Sequence, residues 1–139
     1  MREHILNREQ ALAKAERDGI ATAWNDADTA ARCVNEAFTQ WLARSPKNGQ
    51  KLSKWITDQR KKPANEVFDP RYDLFPIEWE LRGEGSLGKV WRQGSQTPVD
   101  AGNKVVINIK AVRGKGNSHP GDPTQGVPNN FVVYTAYPK

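Results

Sequence analysis

The sequence predicts an α+β domain in which N-terminal helices pack on one face of a C-terminal, mainly antiparallel β-sheet. Two patterns point there. Up to about residue 62 the apolar positions recur at helical spacing, whereas from residue 77 onward they alternate or run in β-branched blocks. The two kinds of segment are separated along the chain, helices first and strands afterwards, as in an α+β domain.

The first helix is expected over HILNREQALAKAERDG, where good helix formers run from Glu3 to Arg17 and Gly19 stands at a common stop. A second starts near Asp26 or Asp28, either of which can cap it, with Ala30, Val34, Ala37, Phe38, Trp41 and Leu42 on one stripe. Ser45-Pro46 ends that helix. A third helix places Leu52, Trp55 and Ile56 on one side and lysines on the other, and stops before Pro63. Residues 63–76 read as a connector that packs its aromatics on the core. In the sheet part, 77–139, Ile77, Trp79 and Leu81 alternate with charged residues, Gly83-Glu84-Gly85 turns the chain, and Lys89 to Arg92 forms a short partner strand. Lys104 to Arg113 and Asn130 to Tyr137 are expected as central strands, joined by an exposed loop with four glycines and three prolines.

The 139 residues suit one domain, 1–139, with its own core. No run of eighteen apolar residues and no signal-peptide-like start are present. The single cysteine, Cys33, excludes an internal disulfide framework and lies on the apolar stripe of the second helix, as a buried thiol would. With 21 basic and 16 acidic residues the formal charge is +5. That charge is concentrated: basic residues outnumber acidic ones seven to one from Arg44 to Lys62 and six to one from Ser86 to His119. Such patches fit a polyanion partner, the alternative being a solvated, solubilising face.

Chemistry has few places to sit. On the last strand, Phe131, Val133, Thr135 and Tyr137 share one face; with Val132 and Ala136 turned to the helices, a hydroxyl and a phenol lie open, roughly 6.5–7 Å apart. This pair can bind phosphate, although both residue types are also ordinary strand formers. His4 and His119 are the two histidines, and histidine is the usual proton carrier near neutral pH. His119 falls in the exposed loop. His4 shares a helical face with Arg8 if the first helix includes both. No HExxH, paired CxxC, EF-hand loop or GxSxG occurs, and GEGSLG lies between strands rather than ahead of a helix. No metal or cofactor is therefore expected.

Several segments together resemble a known family: EHILNREQ with its early histidine, Arg17 closing the first helix, IATAWNDADTAARCVNEAF, the basic KLSKWI, GKVWRQG and the terminal FVVYTAYP. The sequence resembles the C-terminal ribonuclease domains of bacterial polymorphic and contact-dependent growth inhibition toxins, the bacterial ribonuclease A-like group. The resemblance implies an active site of His4, Arg17, Thr135 and Tyr137, with Arg8 as the other arginine that can partner His4. It implies metal-independent cleavage of RNA, tRNA included, by attack of the ribose 2′-hydroxyl on the adjacent phosphorus. Tyr137 is the preferred second proton carrier and His119 the other option. Lys51, Lys54, Lys110 and Arg113 are candidates to hold the RNA strand. The resemblance further implies a cognate immunity protein that binds the monomeric toxin domain, delivery as part of a larger secreted or surface toxin, and action in the cytoplasm of a target bacterium. Alternatives are a non-catalytic nucleic-acid-binding module that stacks bases on Trp55, Trp91 or Tyr137, or another toxin enzyme such as an ADP-ribosyltransferase, for which Glu78-Trp79-Glu80 is a faint echo.

Overall fold

A computed structural model describes residues 4–63, 66–112 and 131–139. His119, Arg113 and the expected loop 114–130 lie outside the described residues. Three helices, α1 (Arg8–Asp18), α2 (Ala27–Arg44) and α3 (Pro46–Arg60), combine with six strands: β1 (Ile20–Trp24), β2 (Phe75–Glu80), β3 (Gly88–Arg92), β4 (Val99–Asp100), β5 (Lys104–Ala111) and β6 (Phe131–Pro138). The architecture is α+β. The strands form two antiparallel three-stranded sheets, β1-β3-β4 and β2-β5-β6.

α1 is shorter than its sequence suggests because Asn7 caps it. The Asn7 side chain accepts from the Gln10 amide while Gln10 reaches back to the Asn7 amide, a reciprocal cap that places His4 outside the helix. Gly19 ends α1 at φ 88°, the left-handed conformation that favours glycine. β1 follows at once, a strand the helical reading missed. Asp26 caps α2, accepting from the amide and hydroxyl of Thr29, and these bonds hold its carboxyl below its ordinary value.

The main core lies between α2, α3 and one face of β2-β5-β6. Cys33, Val34 and Ala37 of α2 and Leu52 and Ile56 of α3 meet Ile77, Val105, Ile107 and Ile109. Burial pushes the Cys33 thiol up. A smaller core joins Ala11 and Ala15 of α1 to Ala21 and Trp91. The expectation that the connector packs its aromatics on the core holds only for Phe75, which opens β2 and meets Trp41 and Trp55 at ring distances of 5.8 and 5.5 Å; Tyr72 is exposed, and Phe68 meets Tyr134 on the other face of the sheet.

Three expectations about the strands are corrected. β3 pairs with β1, Thr22 opposite Val90, and not with β2, whose partner is β5. Residues 81–87 are therefore a crossing between sheets rather than a hairpin: the Leu81 and Leu87 amides donate to Asn103 and Gly102 carbonyls, and Arg32 of α2 pairs with Glu84 at 2.7 Å. β6 is an edge strand of its sheet, with β5 at the centre. Its faces also divide differently. Asn108 pairs with Thr135 and Ile109 with Val133, which leaves Tyr134 as an extra, bulged residue. The bulge resets the alternation, so Phe131 packs on Phe38 of α2 at 5.6 Å and Val132 sits opposite Lys110 on the other face. Thr135 and Tyr137 remain on the face away from the helices, opposite Asn108 and Val106.

A seam joins the two sheets. Lys104 and Lys139 exchange both backbone hydrogen bonds, so the alternating ladder turns the polar groups of Ala136 and Pro138 away from β5. Proline is tolerated there because no ladder bond is lost. The outward Ala136 carbonyl accepts from Trp24 Nε1 of β1 at 3.1 Å. Gly88 lets the strands close: a Cβ at this position would lie 2.0 Å from the Ala23 oxygen and 2.8 Å from Pro138 Cγ.

Candidate active site

The seam brings the N-terminal histidine to the last strand. His4 sits in a single turn before α1, and its Nδ1 lies 3.1 Å from Thr22 Oγ1 and 3.4 Å from the Thr22 carbonyl oxygen. Its ring rests against Tyr137, with centroids 5.2 Å apart and planes inclined by 38°. Thr22 thus fixes the imidazole from β1 while β6 supplies the phenol beside it. A cavity of about 590 Å³ opens at this junction. Thr22, Val90, Arg92 and Ile20 come from one face of the first sheet, Lys14 and Asp18 from α1, and Tyr137 from β6.

Three basic residues that line this cavity, Lys14, Arg92 and Lys139, were not singled out as site residues by sequence, and Lys139 pairs with Glu78. Lys14 is half-buried and Arg92 exposed, and among the described residues no ion pair is formed by either of these two. The acids there are engaged: Asp18 pairs with Arg17 at 3.1 Å, and Asp100 pairs with Lys89. Lys14 could have been found only by knowing which side of α1 packs. Arg92 stood in the second basic stretch without a distinguishing mark.

The other expected residues fall in several places. Thr135 lies one same-face position from Tyr137 and accepts from Asn108 Nδ2 at 2.9 Å. That bond uses the hydroxyl as an acceptor, so its own hydrogen is directed to another group. Arg17 is not brought to His4. It is exposed on α1 and salt-bridged to Asp18 at the cavity rim. Arg8, in the first turn of α1, reaches the Gln96 carbonyl at 3.5 Å and shares no helical face with His4. Lys51 and Lys54 are exposed on α3, which packs on the opposite side of β2-β5-β6 from Tyr137. Lys110 shares the face of Thr135, its Nζ 4.3 Å from the Phe68 ring centre.

The rival readings lose particular supports. Trp91 is buried and presents no face for stacking, and Trp55 is half-buried with its ring tilted against Phe75. Glu78 pairs with Lys139 and Lys104 at 3.5 and 3.9 Å, and the Trp79 indole donates to Gln40. That Glu-x-Glu element does not line the His4 cavity. Among the described residues no three His, Cys, Asp or Glu side chains group as metal ligands, and no helix is long and apolar enough to cross a membrane.

A model of the family described as the bacterial CdiA-CT RNase A domain matches residues 1–138. The chain belongs to this family. It is a C-terminal toxin domain of the contact-dependent growth inhibition type. The fold of a CdiA-CT/CdiI complex from Y. kristensenii 33638, known from a crystal structure, is similar: the TM-score is 0.60 at 14% identity, over 99% of this chain and 95% of that one. No curated protein matches the chain in sequence. In this chain the His4–Tyr137 contact sits where the two sheets meet.

Proposed function

We propose that this CdiA-CT domain is a metal-independent endoribonuclease that acts on RNA in the cytoplasm of a target bacterium and is neutralised by a cognate immunity protein. The observation that supports it most is the pairing of His4 with Tyr137 in a cavity that also holds Lys14 and Arg92. The ribose 2′-hydroxyl supplies the nucleophile. Its oxygen bonds to phosphorus, the bond from phosphorus to the 5′-oxygen breaks, and the products are a 2′,3′-cyclic phosphate and a 5′-hydroxyl. His4 takes the 2′-hydroxyl proton. Tyr137 donates to the departing oxygen, and a strand position at the cavity wall fixes it better than a loop would. Lys14, Arg92 and the Thr135 hydroxyl stabilise charge on the phosphate, the cationic part that the family resemblance implies for Arg17. The CdiI partner in the related complex supports the immunity partner. Of the basic residues, Lys110 follows the RNA strand beyond Thr135, a role supported by its position on the same sheet face.

The test is incubation of total bacterial RNA with the wild type, His4→Ala, Tyr137→Phe and Lys14→Ala in EDTA, with 3′ ends identified. Cleavage to cyclic-phosphate ends by the wild type, slowed roughly 10²–10⁴-fold by His4→Ala, is expected. Intact RNA with the wild type, with and without cell extract, would overturn the ribonuclease reading. Cleavage that EDTA abolishes would overturn metal independence.

A further inference from the structure

The bulge in β6 has a chemical consequence next to the proposed reaction site. Tyr134, the extra residue, stays 39% exposed while its ring meets Phe68 at a centroid distance of 5.2 Å and an inclination of 55°. Phe68 comes from the connector, and Lys110 Nζ stands 4.3 Å over its ring centre. Two aromatic rings and a cation are thereby clustered on the sheet face away from the helices. Lys110 is two positions from Asn108 on β5, and Asn108 holds Thr135 at 2.9 Å. Same-face neighbours along a strand are roughly 6.5–7 Å apart, so the cluster continues the line Tyr137, Thr135, Lys110 away from the cavity. Bulges recur beside active sites because they re-aim a side chain.

We propose that Phe68, Tyr134 and Lys110 form a subsite that stacks a nucleobase and holds a backbone phosphate of single-stranded RNA next to the scissile linkage. The inference rests on the ribonuclease reading of the His4 cavity. The exposed Tyr134 supplies a π-face that any base can use, Phe68 backs its ring, and Lys110, held over Phe68, supplies the cation that tracks the backbone. Core packing alone would not require the cation or the exposed phenol. The subsite makes the enzyme favour unpaired RNA, because a base must leave its own stack to reach the rings.

The experiment compares kcat/KM for a dinucleotide and an unstructured hexanucleotide in the wild type and in a Phe68→Leu/Tyr134→Leu variant, with melting curves for both. Leucine keeps apolar volume and removes the π-face. The hexanucleotide-to-dinucleotide ratio is expected to fall roughly 5- to 150-fold in the variant, the effect of losing one stacked base. In a His4→Ala background, Lys110→Gln should weaken hexanucleotide binding and reduce the slope of log affinity against log salt by about 0.7. An unchanged ratio, with the wild type cleaving both substrates, overturns the subsite and leaves the ribonuclease reading standing. A wild type that cleaves neither substrate overturns the ribonuclease reading itself. If the double variant melts early, the single Tyr134→Leu and the salt slope of Lys110→Gln decide. Unchanged RNA binding in these together with lost binding to the immunity protein would reassign the surface to that partner and overturn the proposal.

Discussion

Trp24→Phe tests whether the seam between β1 and β6 organises the site. The substitution removes the indole N–H that donates to the Ala136 carbonyl at 3.1 Å, within a side chain only 4% exposed. Ala136 is itself fully buried and its carbonyl points away from β5, so no ladder partner can replace the lost donor. An unsatisfied buried acceptor costs about 1–3 kcal/mol, and the void left by the smaller ring adds roughly 1 kcal/mol. The sum is about 2–4 kcal/mol. For a domain of this length each kcal/mol lowers Tm by roughly 3–4 °C, so a drop of roughly 6–16 °C is expected by calorimetry. Trp79→Phe is the matched control, since its indole donates to Gln40 at 2.8 Å but in an exposed pair; its shift should stay within a few degrees. The seam also sets the distance between Thr22, which holds His4, and Tyr137. Cleavage by Trp24→Phe, measured well below its Tm, should therefore fall at least about tenfold, as a site loosened by a fraction of an ångström does. Equal melting shifts for the two variants, or full activity in Trp24→Phe, would refute the role given to the seam.

Other expectations follow from the same geometry. Asn108→Ala removes the donor that orients Thr135; kcat should fall several-fold to tenfold while the melting temperature moves by only a few degrees, checked by steady-state kinetics and a melt. Gly88→Ala drives a Cβ into the Ala23 oxygen at 2.0 Å, a backbone clash that no rotamer relieves, so a loss of about 3 kcal/mol or more in a urea titration is expected. The carboxyls of Asp26 and Glu84 are held below their ordinary values, by bonds from Thr29 and by Arg32 respectively. Their charge therefore stabilises the fold fully above about pH 4–4.5, and this is lost as pH falls through the lowered values. Asp26→Asn/Glu84→Gln, which keeps a capping side chain, should show a shallower decline of Tm below pH 4 than the wild type. Burial raises the Cys33 thiol, so labelling by a thiol reagent at pH 8 should be slow and track unfolding, and fast labelling of the folded protein would contradict its place in the core.

Strongly periodic helices and the β-branched strand were legible in the sequence because their own packing faces dictate them. Val34, Ala37 and Leu52 belong to one core, as their spacing implies. β1 was not legible. IATAW has one β-branched residue at each of two positions, two alanines and no clear alternation, and it becomes a strand through pairing with residues about seventy positions away. The same long-range pairing took β3 from β2, because a local turn such as Gly83-Glu84-Gly85 does not reveal which sheet the chain enters next. Residues whose role depended on one strand, Thr135 and Tyr137, were therefore placed on the correct face, although the bulge that keeps them there was invisible.

The cations show the other limit. Arg8, Lys14 and Arg17 are equivalent by composition, and only the rotation of α1 distinguishes them. Ala11 and Ala15 bury against Ala21 and Trp91, and that contact fixes the rotation. With those alanines inward, Lys14 lines the cavity, while Arg17 closes on Asp18 and Arg8 on the Gln96 carbonyl. Alanine carries too weak an apolar signal to mark a buried helix face among so many charges, so the helix was recognisable but its orientation was not. The capping pair Asn7 and Gln10 was readable in principle, and it decides the matter of His4: a residue four positions before the first residue of α1 lies outside that helix and can turn onto β1. Arg8, four residues on from His4, therefore shares no helical face with it, and which cations share the cavity with His4 is set by tertiary packing.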